Sequence, residues 1–197
     1  MNTEAVLLSG GIDSAAIAFW RRPSLGIFID YGQRSAFAEH KAATAVAQTL
    51  EMPFVTIRAD LSALGQGNMA GKPPGETAIS PEWWPFRNQM LVTLAAMKMV
   101  GSGHSTLAIG TVAGDELHKD GRLEFIETID RLLSLQEGGL RLIAPARRLT
   151  TVELVRLAKA PQDYLAWTHS CHISDIPCGS CRGCKKHNGT MRELGFM

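Results

Sequence analysis

The chain has 197 residues, of which 45% are hydrophobic and 20% charged, and its formal net charge is +1. That length suffices for one domain with a full core, and the composition is ordinary for a globular protein. A chain so near neutrality is not marked by its overall charge as a nucleic-acid binder, and it has no apolar run of about eighteen residues that would span a membrane.

Glu4 interrupts the N-terminus, and the apolar stretch Ala5–Leu8 is too short for the core of a secretion signal, so a cytoplasmic location is the default expectation. The local basic run Lys185-Lys186-His187 reads as a solvated surface face.

Ala5–Leu8 predicts a buried strand, followed by a tight turn at Ser9-Gly10-Gly11. Asp13–Trp20 predicts a helix that Pro23 stops. Leu25–Ile29 reads as a second strand, Ser35–Leu50 as a long Ala-rich helix and Phe54–Ile57 as a third strand. The Gly- and Pro-rich stretch Leu64–Pro81 reads as a mobile loop, and a loop of that length is a candidate lid. Phe86–Val100 predicts a helix, Thr106–Ile109 a fourth strand, and Leu123–Gln136 a helix that Gly138-Gly139 ends. Leu140–Ile143 reads as a short fifth strand. Thr150–Lys159 reads as a helix capped by Thr150, with Glu153 at capping-box distance. Strands alternating with helices predict an α/β fold, a doubly wound and mostly parallel sheet covered on both faces. The division expected is an α/β domain over 1–167 and a small cysteine-rich module over 168–197 packed on it. Ligands of such sheets bind beyond the carboxyl ends of the strands, where the first glycine turn lies.

The string Ser9-Gly10-Gly11-Ile12-Asp13-Ser14 closes a strand and opens a helix. Its glycines let the backbone approach a polyanion, and the N–H groups of a helix start present partial positive charge to phosphate oxygens. Asp13 fits a magnesium ion bridging those phosphates. The plain alternative is a strand-to-helix turn with Asp13 as cap. The string is neither a Walker loop nor a dinucleotide fingerprint, because the required Lys and Gly spacings are absent.

Cys171, Cys178, Cys181 and Cys184 are the only cysteines and lie within one short tail. Four clustered thiolates suit a closed tetrahedral zinc site. An iron–sulfur cluster or a redox Cys-x-x-Cys pair are the alternatives, the latter leaving two cysteines unexplained. Gly179 and Gly183 allow tight turns between them, and His169, His172 and His187 read as bystanders.

Ser-Gly-Gly-x-Asp-Ser after a first strand resembles the PP-loop of ATP pyrophosphatases, which split ATP between the α and β phosphates and attach AMP to an acid or amide oxygen. Further strings, in the right order along nearly the whole chain, resemble the 7-cyano-7-deazaguanine synthase family. They are Tyr31-Gly32-Gln33-Arg34, Pro85-Phe86-Arg87-Asn88, Asp120-Gly121-Arg122-Leu123-Glu124-Phe125-Ile126, and the cysteine tail from Ser170. The resemblance implies an adenine-nucleotide α-hydrolase-like fold and an ATP-dependent C–N ligase. Such an enzyme converts 7-carboxy-7-deazaguanine and ammonia to the nitrile preQ0 through adenylylated carboxylate and amide.

ATP, magnesium and zinc are the implied cofactors, a homodimer the implied assembly, and neither membrane nor nucleic acid an implied partner. Carried over residue by residue, Leu8, Ser9, Gly10, Gly11, Ile12, Asp13, Ser14 and Ala15 would bind ATP. Asp13, Arg87 and Arg122 would be catalytic, while Tyr31, Gln33, Arg87, Asn88 and Asp115 would bind substrate. Plainer roles stand beside these: ion pairs for the two arginines, a cap for Asn88, turns for Tyr31, Gln33 and Asp115. Trp83 and Trp84 could stack on a base, fill the core or make dimer contacts.

The chain departs from the family pattern in four places. Phe86 stands for a glycine, Gly121 for a cysteine, His118-Lys119 for Tyr-Pro, and Thr150-Thr151 where the family has a lysine. Arg147 or Arg148 could stand in for that lysine. A relative acting on another carboxylate or joining a deazapurine to a macromolecule, and a nucleotide-binding module without catalysis, are the other readings.

Overall fold

The computed structural model describes residues 3–197. β1 (Glu4–Leu7) runs into α1 (Ile12–Arg21), which ends at Arg22 in a left-handed conformation just before Pro23. β2 (Leu25–Asp30) and β3 (Phe54–Arg58) flank α2 (Ala36–Thr49), whose buried face of Ala38, Ala42, Ala43, Val46 and Ala47 lets it lie close to the sheet. A 3-10 turn (Ser62–Leu64) and one helical turn, α3 (Gly67–Ala70), precede α4 (Arg87–Met99). β4 (Thr106–Ala108) is followed by two 3-10 turns, at Ala113–Leu117 and Lys119–Gly121, and then by α5 (Leu123–Ser134). β5 (Arg141–Ile143), α6 (Thr151–Ala158), α7 (Gln162–Leu165) and α8 (Arg182–Glu193) complete the chain.

The five strands form one parallel sheet in the order β3-β2-β1-β4-β5. Val6 pairs with Gly26 on one side and Ala108 on the other, so β1 is the central strand. Strand side chains alternate between faces, and each face has its own core. Val6, Leu8, Phe28 and Ala108 pack with α1, α2, α6, α7 and Met191 of α8. Ala5, Ile27, Ile29, Leu107 and Leu142 pack with Met69, Trp84, α4 and α5. This is the doubly wound sheet the sequence predicts, and the strand order reverses direction between β1 and β4. A crevice opens at that switch point, at the carboxyl ends of the two strands.

The observed ends of the expected strands and helices lie within two residues of the sequence expectation, and three further helices, α3, α7 and α8, are added. The stretch expected as a bare loop, Leu64–Pro81, contains α3, which buries Met69 in the same cluster as Trp84. It is laced by Gly67 N–H to Pro73 O and Asn68 N–H to Pro81 O, at 3.1 and 2.7 Å. The cysteine tail, read as turns, carries the regular helix α8. Gly183 is inside that helix rather than in a turn: a Cβ there would come within 1.9 Å of the Ser170 carbonyl oxygen. The glycine therefore lets α8 close onto residues 170–172. Among the described residues no helix is long and apolar enough to cross a membrane.

Candidate active site

The loop after β1 is built to leave its donors free. Gly10 has φ +78°, and a Cβ there would come within 2.4 Å of the Glu39 carbonyl oxygen, so the loop lies flat against the start of α2. No side chain caps α1. Its first N–H groups therefore face the crevice with the positive end of the helix dipole behind them. Ser9 and Ser14 place their hydroxyls 3.1 Å apart, and Ser14 Oγ donates to Gly11 O at 3.0 Å.

Asp13 sits one residue into α1 and its carboxylate is fully engaged. Thr151 Oγ1 donates to Oδ1 at 2.7 Å, and Lys186 Nζ donates to Oδ2 at 2.8 Å. Lys186 is also 3.8 Å from Asp115 Oδ1. Two carboxylates from opposite walls thus converge on one point, which is what a cation needs. Asp115 is fixed by accepting the Val112 N–H at 3.0 Å.

The cleft has a volume of about 320 Å³, and its lining includes Leu8, Ser9, Gly11, Ile12, Asp13 and Ser14 together with Tyr31, Gln33, Arg87, Asn88 and Asp115. Gly10 and Ala15 lie behind that surface, Ala15 fully buried. Arg122 stays outside it, exposed, with Nε donating to Glu116 O at 3.1 Å. Arg147 and Arg148 do not line it either. Phe86 projects into solvent at 75% exposure, in the left-handed region at φ +56°, and borders a second cavity of about 340 Å³ with Leu64 and Trp84. The bulky side chain therefore does not narrow the main cleft. Trp84 is buried edge-on against Tyr31, with ring centroids 4.9 Å apart, and Trp83 does not line the main cleft.

At the far side of the cleft Arg87 opens α4. Its NH1 donates to Met69 Sδ at 2.9 Å and its Nε to Asn88 Oδ1 at 3.4 Å. Burial works against its charge, but the field of Tyr31, Asp120, Glu39 and Asp115 outweighs it and holds the guanidinium protonated. Among the described residues Arg87 forms no salt bridge. Gln33 accepts the Tyr31 N–H at 2.9 Å and donates to Glu39 Oε2 at 2.9 Å, so it shapes the turn and steadies an acid on the cleft wall. Burial raises the pKa of Glu39, against the pull of Gln33, Ser35, Arg87 and His169. Burial likewise pushes the Tyr31 phenol up.

The tail closes the cleft from above. His169 N–H donates to Gly10 O at 2.9 Å, and His169, His172 and His187 all line the cleft rather than the sulfur cluster. His172 is pushed down to about 4, first by burial and then by Arg87, and its Nδ1 is buried without a hydrogen-bond partner. The Sγ atoms of Cys171, Cys178, Cys181 and Cys184 lie within 4.8 Å of one another, and the Cys178–Cys184 and Cys181–Cys171 separations are 3.9 and 4.0 Å. A tetrahedron with metal–sulfur bonds of about 2.3 Å has edges of about 3.8 Å. The four thiols can therefore hold a metal ion such as zinc. N–H groups point at two of the sulfurs, Cys181 N–H at Cys178 and Cys184 N–H at Cys181, as thiolates require. The first of these holds the Cys178 thiol below its ordinary range, while burial pushes Cys184 up.

Sequence reasoning missed Lys186 and Glu39. Lys186 is hidden in a basic run that looks like surface, although two residues before it lies a cysteine that must turn inward. Glu39 is the acid in the first turn of an Ala-rich helix, and that placement was its signal.

A doubly wound parallel sheet, an uncapped glycine loop at its switch point and a four-cysteine cluster able to hold a metal ion define an α/β protein with a crevice suited to an anion. Comparison with known proteins places the chain further. It belongs to the family described as "Queuosine biosynthesis protein QueC", whose profile matches residues 3–195. Proteins named 7-cyano-7-deazaguanine synthase resemble it along almost their entire length. The one from Thiobacillus denitrificans is 32% identical, covering 98% of this chain and 92% of that protein. Those from Methanopyrus kandleri and Methanoculleus marisnigri are 31% and 30% identical, each covering 100% of this chain and 96% of the relative.

Proposed function

We propose that this chain is an ATP-dependent C–N ligase that converts 7-carboxy-7-deazaguanine and ammonia to 7-cyano-7-deazaguanine. The observation that carries the reading is the pairing of an uncapped PP-loop with a guanidinium, Arg87, that lines the same cleft and forms no salt bridge among the described residues. A planar guanidinium fork suits an incoming carboxylate, while the loop suits a triphosphate.

The chemistry takes two activations. A carboxylate oxygen of the substrate attacks the α-phosphorus of ATP, and pyrophosphate leaves. Ammonia adds to the acyl carbon, AMP leaves with the C–O bond electrons, and a proton is lost, giving the amide. The amide oxygen then attacks the α-phosphorus of a second ATP and pyrophosphate leaves; departure of AMP with the C–O bond electrons and loss of the two N–H protons yields the nitrile. The loop N–H groups, with Ser9 and Ser14, orient the phosphates in line with the nucleophile. Arg87 and Asn88 hold the substrate carboxyl, Tyr31 and Gln33 shape the pocket wall, and Glu39 is steadied to accept from N–H groups of the base. Asp13 and Asp115 would hold the magnesium that accompanies ATP, which supplies charge neutralisation for the departing pyrophosphate. Zinc on the four thiolates is structural in this reading, with 168–197 a module on the 1–167 domain. A second copy would find exposed apolar side chains at Leu132 of α5 and at Leu135 just after it for a homodimer.

The test is mass analysis of the protein incubated with 7-carboxy-7-deazaguanine, ammonia, ATP and magnesium. The expected products are the 7-deazaguanine nitrile, AMP and pyrophosphate. AMP formed with a different acid and no nitrile would move the chain to a relative with another substrate. No AMP with any acid would leave a binding module and overturn the reading.

A further inference from the structure

The cleft has to neutralise a polyanion, and its lining contains few cations. Of the Lys and Arg residues, only Arg87 and Lys186 line it. Arg87 stands at the far wall beside Met69 and Asn88. Lys186 is the one at the loop, 2.8 Å from Asp13 Oδ2 and 3.8 Å from Asp115 Oδ1. We propose that Lys186 is the phosphate-binding lysine of this protein, so that the four-thiolate module is a wall of the nucleotide site and sets nucleotide affinity. The proposal rests on the ATP reading given above.

Four features support it. An ammonium is a compact point charge with three donors, suited to several phosphate oxygens at once. The Lys186 side chain is 36% exposed, so it is held in place yet open to the cleft. Its helix also has its rotation fixed by sulfur. Cys181 is the N-cap of α8, its Sγ accepting the Cys184 N–H at 3.4 Å, and both belong to the thiolate cluster. At 3.6 residues per turn, Lys186 projects roughly 200° around the helix from Cys184. Turning the sulfurs toward the metal thus turns the ammonium toward the loop. The close approach at Gly183 holds α8 against residues 170–172, and the bond from His169 N–H to Gly10 O fastens that stretch to the loop.

The experiment measures the affinity of the metal-loaded protein for α,β-methylene-ATP with magnesium, by calorimetry. Metal content and circular dichroism are recorded for every sample. Lys186→Met is expected to weaken binding about tenfold or more, as loss of a charge-assisted contact does. Lys186→Arg should recover most of it, and Lys185→Met, on the exposed side of α8, should leave it unchanged. In parallel, lysine acetylation of the unaltered protein is mapped by peptide mass spectrometry. The analogue should protect Lys186 and not Lys185. Stripping the metal should abolish that protection. Equal affinity of Lys186→Met at unchanged metal content, or equal labelling of Lys186 with and without saturating analogue, overturns the proposal. The labelling decides the matter if the substituted chains fail to fold. Failure of the unaltered protein to bind the analogue would instead strike the ATP reading itself.

Discussion

Thr151 gives its hydroxyl proton to Asp13 Oδ1 at 2.7 Å, joining the first turns of two helices 138 residues apart in sequence. Thr150 just before it caps α6, accepting the Glu153 N–H at 3.2 Å while Glu153 accepts the Thr150 N–H at 2.8 Å. The capping box thereby fixes the register that aims Thr151 at the loop. Replacing Thr151 with Val removes one buried bond to a charged group, a loss of about 1.5–3 kcal/mol. Urea denaturation should show that loss, and AMP formation should slow by about tenfold for the same reason. Thr151→Ser should restore both. A Val variant equal to the unaltered protein in both measurements would make the bond incidental.

Gly10→Ala is the severest single change expected in the loop. The backbone is left-handed there, at a cost of about 1–2 kcal/mol for a side chain. The added methyl also meets the Glu39 carbonyl oxygen at 2.4 Å and Ala42 Cβ at 2.9 Å. Overpacking of that kind adds about 1–3 kcal/mol. The expected outcome is a total loss of about 2–5 kcal/mol in urea denaturation. A change below about 0.5 kcal/mol, the scale of a neutral surface substitution, would show that α2 can yield.

Phe86→Gly should go the other way. The residue holds φ +56° at the start of α4 and contributes little burial at 75% exposure. Relief of about 1–2 kcal/mol is partly offset by the freer unfolded chain, about 0.4–1 kcal/mol. The melting temperature should rise by about 2–4 °C. A fall would mean that Phe86 gains more from the rim of the second cavity than its exposure suggests.

Glu82 supplies a pH dependence. Its Oε1 accepts from Arg182 NH1 at 2.9 Å, and Arg182 NH1 lies 3.2 Å from His118 Nε2, so one carboxylate ties the end of the 64–81 segment to α8 and to the turn after β4. Burial alone would raise its pKa. Its own backbone N–H and the Arg182 fork outweigh burial and hold the carboxyl below its ordinary range. An acid depressed in the folded state contributes stability above the unfolded pKa, about 4.3, and loses it as pH falls through the lower folded value. The protection of residues 66–83 against hydrogen exchange, relative to the intrinsic rate, should therefore fall below about pH 4. Glu82→Gln should exchange faster already at neutral pH, with a flatter profile. Identical profiles for the two proteins would remove Glu82 as the tie.

The strands were legible because each is a short apolar run stopped by Gly, Pro or Asp, and such runs have few other uses in a parallel sheet. The helices α3, α7 and α8 were not. The first two have four residues each, too few for a periodic pattern, and α8 holds Gly183 and Gly189 and starts on a cysteine rather than an ordinary cap. The loop Ser9–Ser14 was legible because its whole geometry is local. Lys186 was not, since its partner Asp13 lies 173 residues away and no spacing rule spans that separation. Arg122 shows the reverse error: its string has the right residues, yet its side chain turns back on Glu116.

The strand that opens the fold and the helix that closes it stand on opposite walls of one crevice. During synthesis, when a chain folds from its N-terminus, the sheet can assemble before residues 168–197 have emerged. At that stage the glycine loop exists but has no ammonium facing it and no histidine backbone pinning it. The ammonium of Lys186 and the backbone of His169 therefore reach the loop only once residues 168–197 have folded back onto it.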